Sequence, residues 1–287
     1  DHHLLDSSPS KTASSSGGEI GAYGNGGAPP DSDEELSTTP TLTGALTQSE
    51  RWTGEVTLTG SVEVNWPYKL IIDAGTVIHM PSSATLTVNN FVRILGTESS
   101  PVVFEAAEGA TNWSGIYLNS SGAGSTIRYA HISDATYCIR SQGAPDEINN
   151  NRLSNCQYGV YVNSGSPDIS NNLIIENAYA GIHVNNGNPQ ITYNTLDQNG
   201  NYGVYFSTSV VPTITNNIIT RNTTGLYDYY GKYTGGYNNV WGNGTDYSRT
   251  SAAETDISSD PQYVDAYAVD HHLLDSSPSK TASSSGG

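Results

Sequence analysis

Residues 145–231 contain four successive segments that align with one another. They read PDEINNNRLSNCQYGVYVNSGS from Pro145, PDISNNLIIENAYAGIHVNNGN from Pro167, PQITYNTLDQNGNYGVYFSTSVV from Pro189 and PTITNNIITRNTTGLYDYYG from Pro212. The prolines recur after 22, 22 and 23 residues, and an earlier copy, STIRYAHISDATYCIRSQGA, begins at Ser125. A fixed period of this length is typical of a solenoid in which each repeat forms one coil.

Within each segment the apolar residues alternate over short runs, which indicates β-strands rather than helices. A strand that cannot bury a face alone can stack on the next coil, at about 4.8 Å. The alignment gives three apolar columns: Ile127, Ile148, Ile169, Ile191 and Ile214; Ile132, Leu153, Ile174, Leu196 and Ile219; and Ile139, Val160, Ile182, Val204 and Leu226. They predict three strand faces around one interior, with about eight or nine coils between Arg51 and Tyr247.

Asparagine recurs at one position of four successive coils. Stacked asparagine side chains can hydrogen-bond along the stack and satisfy a buried turn. We therefore expect a structural ladder, with plain surface turns as the alternative. Its members are Asn151, Asn172, Asn194 and Asn217.

The chain resembles the secreted right-handed parallel β-helix repeat proteins, a large and mixed bacterial group with the pectate-lyase-like fold. The resemblance covers most of the chain from Arg51, and it implies an all-β, right-handed solenoid of roughly 22-residue coils. Because this fold hosts lyases, hydrolases, adhesins and structural proteins, it implies little about function. It rests on RWTGEVTLTGSVEV from Arg51, LIIDAGTVIHM from Leu70, the P-x-I-x-x-N coils, and an ending of YNNVWGNGTDYS from Tyr237 and DISSDPQYVDAYAVDHHLLDSSPS from Asp256.

The chain is acidic, with 28 Asp and Glu against 11 Lys and Arg and a net charge of −17. Such a surface repels phosphate backbones, so we expect no nucleic-acid partner. No apolar run is long enough to span a membrane. Four Asn-x-Ser/Thr sites are weak pointers to secretion, and we expect an extracellular or cell-surface location. They are Asn112, Asn119, Asn222 and Asn243.

Residues 1–18 and 270–287 are identical, both reading DHHLLDSSPSKTASSSGG, at an offset of 269 residues. The simplest interpretation is a window cut from a longer chain of near-identical units. A cloning scar or a circular permutation with overlap is the alternative. The window would then comprise a closing segment of the preceding unit (1–24), a linker and lead-in (25–50), the β-helix (51–247) and its own closing segment (248–287).

The linker, GNGGAPPDSDEELSTTPT from Gly24, is rich in Gly, Pro and acidic residues. Its carboxylates are of the kind that Ca²⁺ prefers, and a solvated acidic run is the alternative. We expect no other cofactor. The weak calcium candidates are Asp31, Asp33, Glu34 and Glu35.

Carboxylates are sparse in the regular coils, and no pattern of clustered acids with basic partners stands out. Asp146 and Asp168, one coil apart, could form a catalytic pair, but a simple preference for Asp at turns is the favoured interpretation. The Asp-Asp, Gly-His-Gly and Arg-Ile-Lys signatures of polygalacturonase-like hydrolases are absent. We therefore predict no catalytic residues, with a polysaccharide lyase or glycoside hydrolase as the alternative.

The histidines and cysteines give no firm site. A closing strand with one outward histidine fits the DHHLLD sequence better than a metal site does, and we predict no metal there. The residues concerned are Asp270, His271, His272 and Asp275, and in the first copy Asp1, His2, His3 and Asp6. Cys138 and Cys156 are predicted to be free thiols, because three residues along a strand span about 10 Å.

One column of residues, two positions after the recurrent glycine, should point outward because side chains alternate along a strand. Exposed flat side chains at strand spacing suit a sugar chain or another protein. Cross-strand stacking that only stabilises the sheet is the alternative. The column is Arg140, Tyr161, His183, Tyr205 and Tyr227.

These observations favour a non-catalytic structural unit of an extracellular tandem array, forming a fibre, stalk or surface layer. Its partners would be identical neighbouring units, end to end, with residues 1–24 packed on or near the first coils of the following unit. The alternative is a β-helix that binds or cleaves carbohydrate, with a polysaccharide or cell-surface glycan as partner, as in an adhesin.

Overall fold

The computed structural model describes residues 36–119, 124–143, 146–207, 212–265, 270–280 and residue 282. Two expectations therefore lie outside the described residues: the calcium candidates Asp31, Asp33, Glu34 and Glu35, and the placement of residues 1–24 on a following unit.

The described residues form strands and one short 3-10 helix, with no α-helix. In chain order the elements are β1 Gly44–Ala45, β2 Glu50–Trp52, β3 Glu55–Thr57, β4 Val62–Val64, β5 Lys69–Asp73, β6 Val77–Met80, β7 Thr85–Val88, β8 Phe91–Leu95, β9 Val102–Ala106, β10 Trp113–Leu118, β11 Thr126–Arg128, β12 Ala130–Ser133, β13 Ala135–Gln142, β14 Glu147–Asn149, β15 Arg152–Ser154, β16 Tyr158–Ser164, β17 Asp168–Ser170, β18 Leu173–Ile175, β19 Ala180–Val184, β20 Gln190–Thr192, β21 Thr195–Asp197, β22 Tyr202–Phe206, β23 Thr213–Thr215, β24 Ile218–Thr220, β25 Thr224–Asp228, β26 Asn239–Trp241, β27 Thr245–Ser248, β28 Tyr263–Asp265, β29 Asp270–Leu273 and the 3-10 helix Pro278–Lys280.

Strands of successive coils pair in parallel and build three sheets. Sheet 1 has ten strands (β1-β4-β7-β10-β13-β16-β19-β22-β25-β27), sheet 2 has eight (β2-β5-β8-β11-β14-β17-β20-β23), and sheet 3 has nine (β3-β6-β9-β12-β15-β18-β21-β24-β26). Each regular coil passes through one strand of sheet 2, one of sheet 3 and one of sheet 1. The solenoid therefore has about nine turns, which confirms the predicted fold class and coil length.

The inward side chains form the three predicted apolar columns. In sheet 2, Ile148 pairs with Ile169, and Ile169 with Ile191. All members of the three columns are buried. Each such side chain contributes roughly 1.5–3 kcal/mol relative to an exposed one, and the recurrence of similar residues keeps every coil the same width.

Two corners of each regular coil are single-residue bends with positive φ, each followed by a buried residue. Between sheets 2 and 3 the bend residues include Asn171 (φ 57°) and Asn216 (φ 59°). Asparagine tolerates this left-handed backbone better than most residues. The bend is one residue long, so the chain turns directly from one sheet into the next.

The first ladder is formed by the buried residues at this corner. Asn172 donates its backbone N–H and its Nδ2–H to Oδ1 of Asn194, at 3.0 and 2.9 Å. Its Nδ2 also donates to the carbonyl of Ile148 in the preceding coil, at 2.8 Å. The same pattern repeats coil after coil. The ladder residues are Asn151, Asn172, Asn194, Asn217 and Asn238.

A second ladder, which the sequence analysis missed, lies at the corner between sheets 3 and 1. Asn199 donates its N–H and Nδ2–H to Oδ1 of Asn222, at 2.8 and 3.1 Å. The members are Asn177, Asn199, Asn222 and Asn243. Their recurrence after 22, 23 and 21 residues is visible in the sequence. Asn222 and Asn243, two of the four possible glycosylation sites, are thus hydrogen-bonded within the solenoid.

The prediction of free thiols is wrong, because Cys138 and Cys156 form a disulfide with a Cα–Cα distance of 5.8 Å. The separation was counted along one strand, whereas the contact runs between coils. Cys138 occupies the recurrent glycine position, and Cys156 occupies the position of the second ladder in the next coil. One period later the equivalent residues are Gly159 and Asn177, where a Cβ built on the glycine would lie 3.2 Å from the asparagine Nδ2.

Irregular segments cover both ends of the solenoid. At the first end, Ser37 bridges to Glu50 and Leu46 is buried. The buried Glu50 carboxylate accepts hydrogen bonds from the Thr41 N–H at 2.9 Å and the Trp52 indole N–H at 2.7 Å. The solenoid therefore begins before Arg51, and the later part of the predicted linker is its cap.

At the other end, both ladders terminate on carboxylates. Asp256 Oδ1 accepts the N–H and Nδ2–H of Asn238 at 2.9 and 3.1 Å. Asp246 Oδ1 accepts those of Asn243 at 3.2 and 2.9 Å. A carboxylate can only accept when ionised, so it ends a chain of donors without leaving a donor of its own.

The antiparallel pair β28–β29 forms a closing hairpin beside sheet 3. His271 of β29 donates from Nε2 to the buried carboxylate of Asp197 at 2.8 Å, and the hydroxyls of Tyr263 and Thr220 lie 3.1 Å apart. The hairpin therefore covers outward positions of β21 and β24.

Replacing Asn194 with Ala should remove about 3 kcal/mol of stability, because donors of Asn172 and the Ile169 carbonyl lose their partner inside the solenoid. Asn185→Ala is the matched control, since Asn185 is exposed and makes one long hydrogen bond of 3.5 Å to Asn163. It should cost less than about 0.5 kcal/mol. Urea unfolding followed by far-ultraviolet circular dichroism measures both, and equal losses would contradict the ladder's role.

The double variant Cys138→Gly/Cys156→Asn should fold and retain more stability than Cys138→Ser/Cys156→Ser, by about 1–2 kcal/mol. The first pair recreates the glycine and asparagine of the following coils and extends the second ladder by one coil. The second pair removes the disulfide without a substitute. Thermal unfolding of both variants decides, and a Gly/Asn variant less stable than the Ser/Ser variant would show that the two arrangements are not equivalent.

Candidate functional site

The outward face of sheet 1 carries the predicted column. Across the strands the register is Tyr117, Arg140, Tyr161, His183, Tyr205 and Tyr227. The structure thus places all five predicted residues in one row and adds Tyr117 at its start.

A second column on the same face was not predicted. Tyr137 pairs with Tyr158, and the position continues through Ala180 to Tyr202. Tyr179 lies beside Ala180, and its ring centroid is 5.1 Å from that of Tyr158 and 5.6 Å from that of Tyr202. The signal in the sequence is a tyrosine directly before the recurrent glycine or its Cys138 equivalent. We call the two columns together the aromatic surface: Tyr117, Tyr137, Tyr158, Tyr161, Tyr179, His183, Tyr202, Tyr205 and Tyr227.

Rings of the aromatic surface contact one another in offset and edge-to-face arrangements. Tyr137 and Tyr158 stack at 5.1 Å, and Tyr158 meets Tyr161 edge-on at 5.6 Å. Such pairs contribute about 0.5–1.5 kcal/mol each beyond their buried area. Cross-strand stacking is therefore present, and it holds half-buried rings in a fixed, nearly continuous platform.

Two arginines flank the aromatic surface. The guanidinium of Arg140 lies 5.1 Å from the Tyr117 ring centre, and that of Arg249 lies 4.9 Å from the ring of Tyr229. Tyr229 and Tyr230 extend the aromatic character, with 46% and 52% of their surface exposed. The chain as a whole has a net charge of −17, so these two arginines place positive charge beside this face of an acidic protein.

His183 sits in the middle of the aromatic surface, 4.5 Å from the Tyr205 ring and 4.9 Å from the Tyr161 ring. Both of its ring nitrogens are buried and have no hydrogen-bond partner among the described residues. Burial lowers the pKa of His183 to about 4, so its imidazole is neutral at physiological pH.

Burial, and then the neighbouring phenols, raise the pKa of Tyr158, Tyr179 and Tyr202. Their hydroxyls therefore stay protonated and can both donate and accept hydrogen bonds. A platform of flat apolar faces with hydroxyl rims suits the stacking of pyranose rings or of another protein's side chains. It offers no activated nucleophile.

The members of the possible acidic pair are backbone neighbours, since the Asp168 N–H donates to the Asp146 carbonyl at 2.8 Å, but their side chains have different surroundings. Asp146 is buried, where it accepts hydrogen bonds from the Ser125 N–H at 2.9 Å and the Ser141 hydroxyl at 2.6 Å. Asp168 is exposed, and its register partner is Glu147. Burial raises the pKa of Asp146, and its carboxylate is already engaged by Ser125 and Ser141, whereas the Asp168 side chain is exposed to solvent.

The two closing histidines have different surroundings. His272 is exposed and its Nδ1 lies 2.6 Å from Asp270, whereas His271 is bound to Asp197. The described residues contain no group of three or more His, Cys, Asp and Glu placed to hold a metal ion.

Asp197 is the centre of a second polar cluster. Burial raises the pKa of its carboxyl, but hydrogen bonds from His271, Arg221 and Thr220 outweigh this and lower it to about 2. Thr220, Arg221 and Tyr263 also line an open cavity of about 470 Å³ between the hairpin and sheet 3. Because Thr220 and Arg221 of the solenoid and His271 of the hairpin all bind Asp197, this cluster attaches the hairpin to sheet 3.

The stability of the protein should fall as the pH is lowered from about 6.5 to about 4, and His183→Phe should reduce that fall by about 2 kcal/mol. The folded-state pKa of His183, about 4, lies below the usual 6.5, so between these pH values the histidine binds a proton in the unfolded chain but not in the folded one. The stabilisation is complete above pH 6.5 and is lost as the pH falls through 4.

Urea midpoints at pH 7 and pH 4.5 measure this effect. Asn185→Ala, at an exposed residue whose side chain does not titrate, is the control and should keep the parental pH dependence. An unchanged pH dependence in His183→Phe would contradict the burial of a neutral imidazole.

No curated protein and no solved structure matches the chain. The described residues include no helix long and apolar enough to cross a membrane. Residues 114–259, about half of the chain, match the sequence model of the family described as the right handed beta helix region. The matched stretch contains the regular coils, both asparagine ladders and the whole aromatic surface. The chain therefore belongs to the right-handed β-helix family.

Proposed function

We propose that this chain is a non-catalytic structural unit of an extracellular tandem-repeat β-helix protein that forms a fibre, stalk or surface layer. The observation that carries the proposal is the identity of residues 1–18 with residues 270–287. An 18-residue identity at an offset of 269 residues fits a unit that repeats with that length.

The position of the second copy supports this reading. Residues 270–280 attach to the coils of their own unit, through His271 on Asp197 and through the Ser279 hydroxyl, which accepts a hydrogen bond of 2.7 Å from Asn239. In an array, every unit would then complete itself with the same closing segment.

The use of the acidic side chains also supports a structural role. Asp146 and Asp197 are held in buried hydrogen bonds, and Asp246 and Asp256 terminate the ladders. Carboxylates committed to backbone and side-chain donors are poor candidates for general acids or bases, which must reach a substrate.

Consecutive units would stack end to end through their caps, formed by residues 37–49 and 250–259, rather than through bare strand edges. About nine coils at the strand spacing give an axial repeat on the order of 45 Å or somewhat more. The acidic Gly- and Pro-rich stretch from Gly24 would join the units.

A protein with several tandem copies of residues 19–287 should show a regular axial repeat on the order of 45 Å or more by electron microscopy. The control is the same protein with a Gly/Ser insertion after Gly27, which should loosen the repeat. Independently oriented globules in the parent array would overturn the fibre.

The aromatic surface favours a second candidate function, the binding of a polysaccharide or cell-surface glycan. Its two columns run along the solenoid at strand spacing, so an extended sugar chain could stack on successive rings. Cleavage of such a chain is the less favoured variant of this proposal, since the platform supplies no evident acid or base.

Tyr161→Ala/Tyr205→Ala should reduce binding in a glycan array at least about tenfold, if this surface binds sugar. Tyr193→Ala is the control, because Tyr193 is exposed but lies at the corner between sheets 2 and 3. Equal binding by all three proteins would exclude the surface. Turnover of pectin-like or alginate-like polymers that is lost in Asp146→Ala or Asp168→Ala would instead establish an enzyme.

A further inference from the structure

We propose that the outer face of sheet 3 around Asp197 is a docking site for the segment DHHLLDSSPSK, and that a second copy of this chain can supply its residues 1–11 to that site in exchange for residues 270–280. The inference rests on the proposed function for its setting in an array. The experiment that tests the exchange uses the 287-residue chain itself and needs no multi-unit array.

The resident segment is attached through a small set of contacts. His271 binds Asp197, Ser279 accepts from Asn239, and the Ser277 hydroxyl donates to the Pro261 carbonyl at 2.6 Å. Among the described residues, strand β29 pairs with β28 alone and joins none of the three solenoid sheets. Its removal would therefore leave the parallel ladders of the coils intact.

The site itself is built for a histidine. Asp197 lies fully buried in sheet 3, where Arg221 Nε and the Thr220 hydroxyl donate to its carboxylate at 2.8 and 2.7 Å. His271 supplies a further donor, and the Tyr263 ring packs 4.8 Å from the imidazole. A vacated site would expose this carboxylate and one face of Tyr263, so it favours being refilled.

Residues 1–11 have the same side chains in the same order as residues 270–280. His2 would replace His271 on Asp197, Ser10 would replace Ser279 at Asn239, and Leu4 would replace Leu273. Each contact of the resident can thus be remade by the incoming segment. The exchange changes which chain supplies the contacts, and it leaves their number unchanged.

Each chain therefore carries two copies of the segment and one described site. Residues 270–280 occupy the site here, and residues 1–11 of another chain would compete with them to an extent that depends on local concentration. Linking units in series raises that concentration to the millimolar range for short flexible linkers. Exchange of identical elements between copies is a low-cost route to association. Consecutive units or parallel chains would thereby be fastened through sheet 3, beside any contact at their caps.

A disulfide trap tests the exchange with the full-length chain. A Ser10→Cys chain mixed with an Asn239→Cys chain should form a disulfide-linked heterodimer under mild oxidation, since neither chain alone holds both cysteines. Ser279→Cys/Asn239→Cys in one chain is the positive control for geometry. Ser15→Cys, outside the proposed segment, replaces Ser10→Cys in the negative control.

Two histidine variants then test the mechanism. His271→Ala in the Asn239→Cys chain should raise the heterodimer yield about tenfold at subsaturating concentration, because the resident loses its charge-assisted bond to a buried carboxylate. His2→Ala in the Ser10→Cys chain should lower the yield by a similar factor. These opposite shifts would not arise from unspecific association or from a damaged fold.

Absence of a heterodimer above the Ser15→Cys level, or a yield insensitive to both histidines, overturns the proposal. A link that forms within a Ser10→Cys/Asn239→Cys chain but not between chains overturns it as well, because residues 1–11 would then serve their own unit. The fibre proposal is tested by the axial repeat of multi-unit proteins, and the exchange is tested by the disulfide trap. Either proposal can therefore be overturned without the other.

Discussion

The hydrogen bonds between buried asparagines of successive coils are the interaction on which the regular part of the fold depends. A single-residue bend leaves backbone groups inside the corner that no strand can pair, and the asparagine of the following coil satisfies them. Asn172, for example, bonds to the coil before it and to the coil after it. Because unsatisfied buried groups cost about 1–3 kcal/mol each, these corners hold the regular coils in register, and the apolar columns align as a result.

The apolar columns and the first ladder could be predicted from the sequence because one residue type recurs at one position of the period. The second ladder shows the same regularity, but its first position is occupied by Cys156, which hid its relation to Asn177. The disulfide was missed because distances between coils do not follow from separation along a strand. The caps and the hairpin depend on contacts without a period, such as His271 on Asp197 across 74 residues, and no local pattern encodes them.

Stability and surface chemistry are joined on sheet 1. The same rings that brace neighbouring strands also form the platform, so a half-buried tyrosine contributes to both at once. Only one of its two columns was predicted, because counting alternate residues from the glycine identifies Tyr161 and its equivalents. The tyrosine before the glycine does not follow from this alternation, since the backbone at the glycine lies in close contact with the next coil. His183 lies in the middle of this face, where its imidazole packs against tyrosine rings and has no hydrogen-bond partner among the described residues.

The ladders also make the two ends of the solenoid chemically different. In both of them every side-chain Oδ1 accepts from the earlier coil, whereas Nδ2 donates to both neighbouring coils, and each ladder ends on a carboxylate, that of Asp246 or Asp256. Two solenoids that met through these ends would bring their terminal carboxylates together and repel, whereas a head-to-tail contact would not. Any filament grown along this axis would therefore have one sense, with chemically distinct leading and trailing tips.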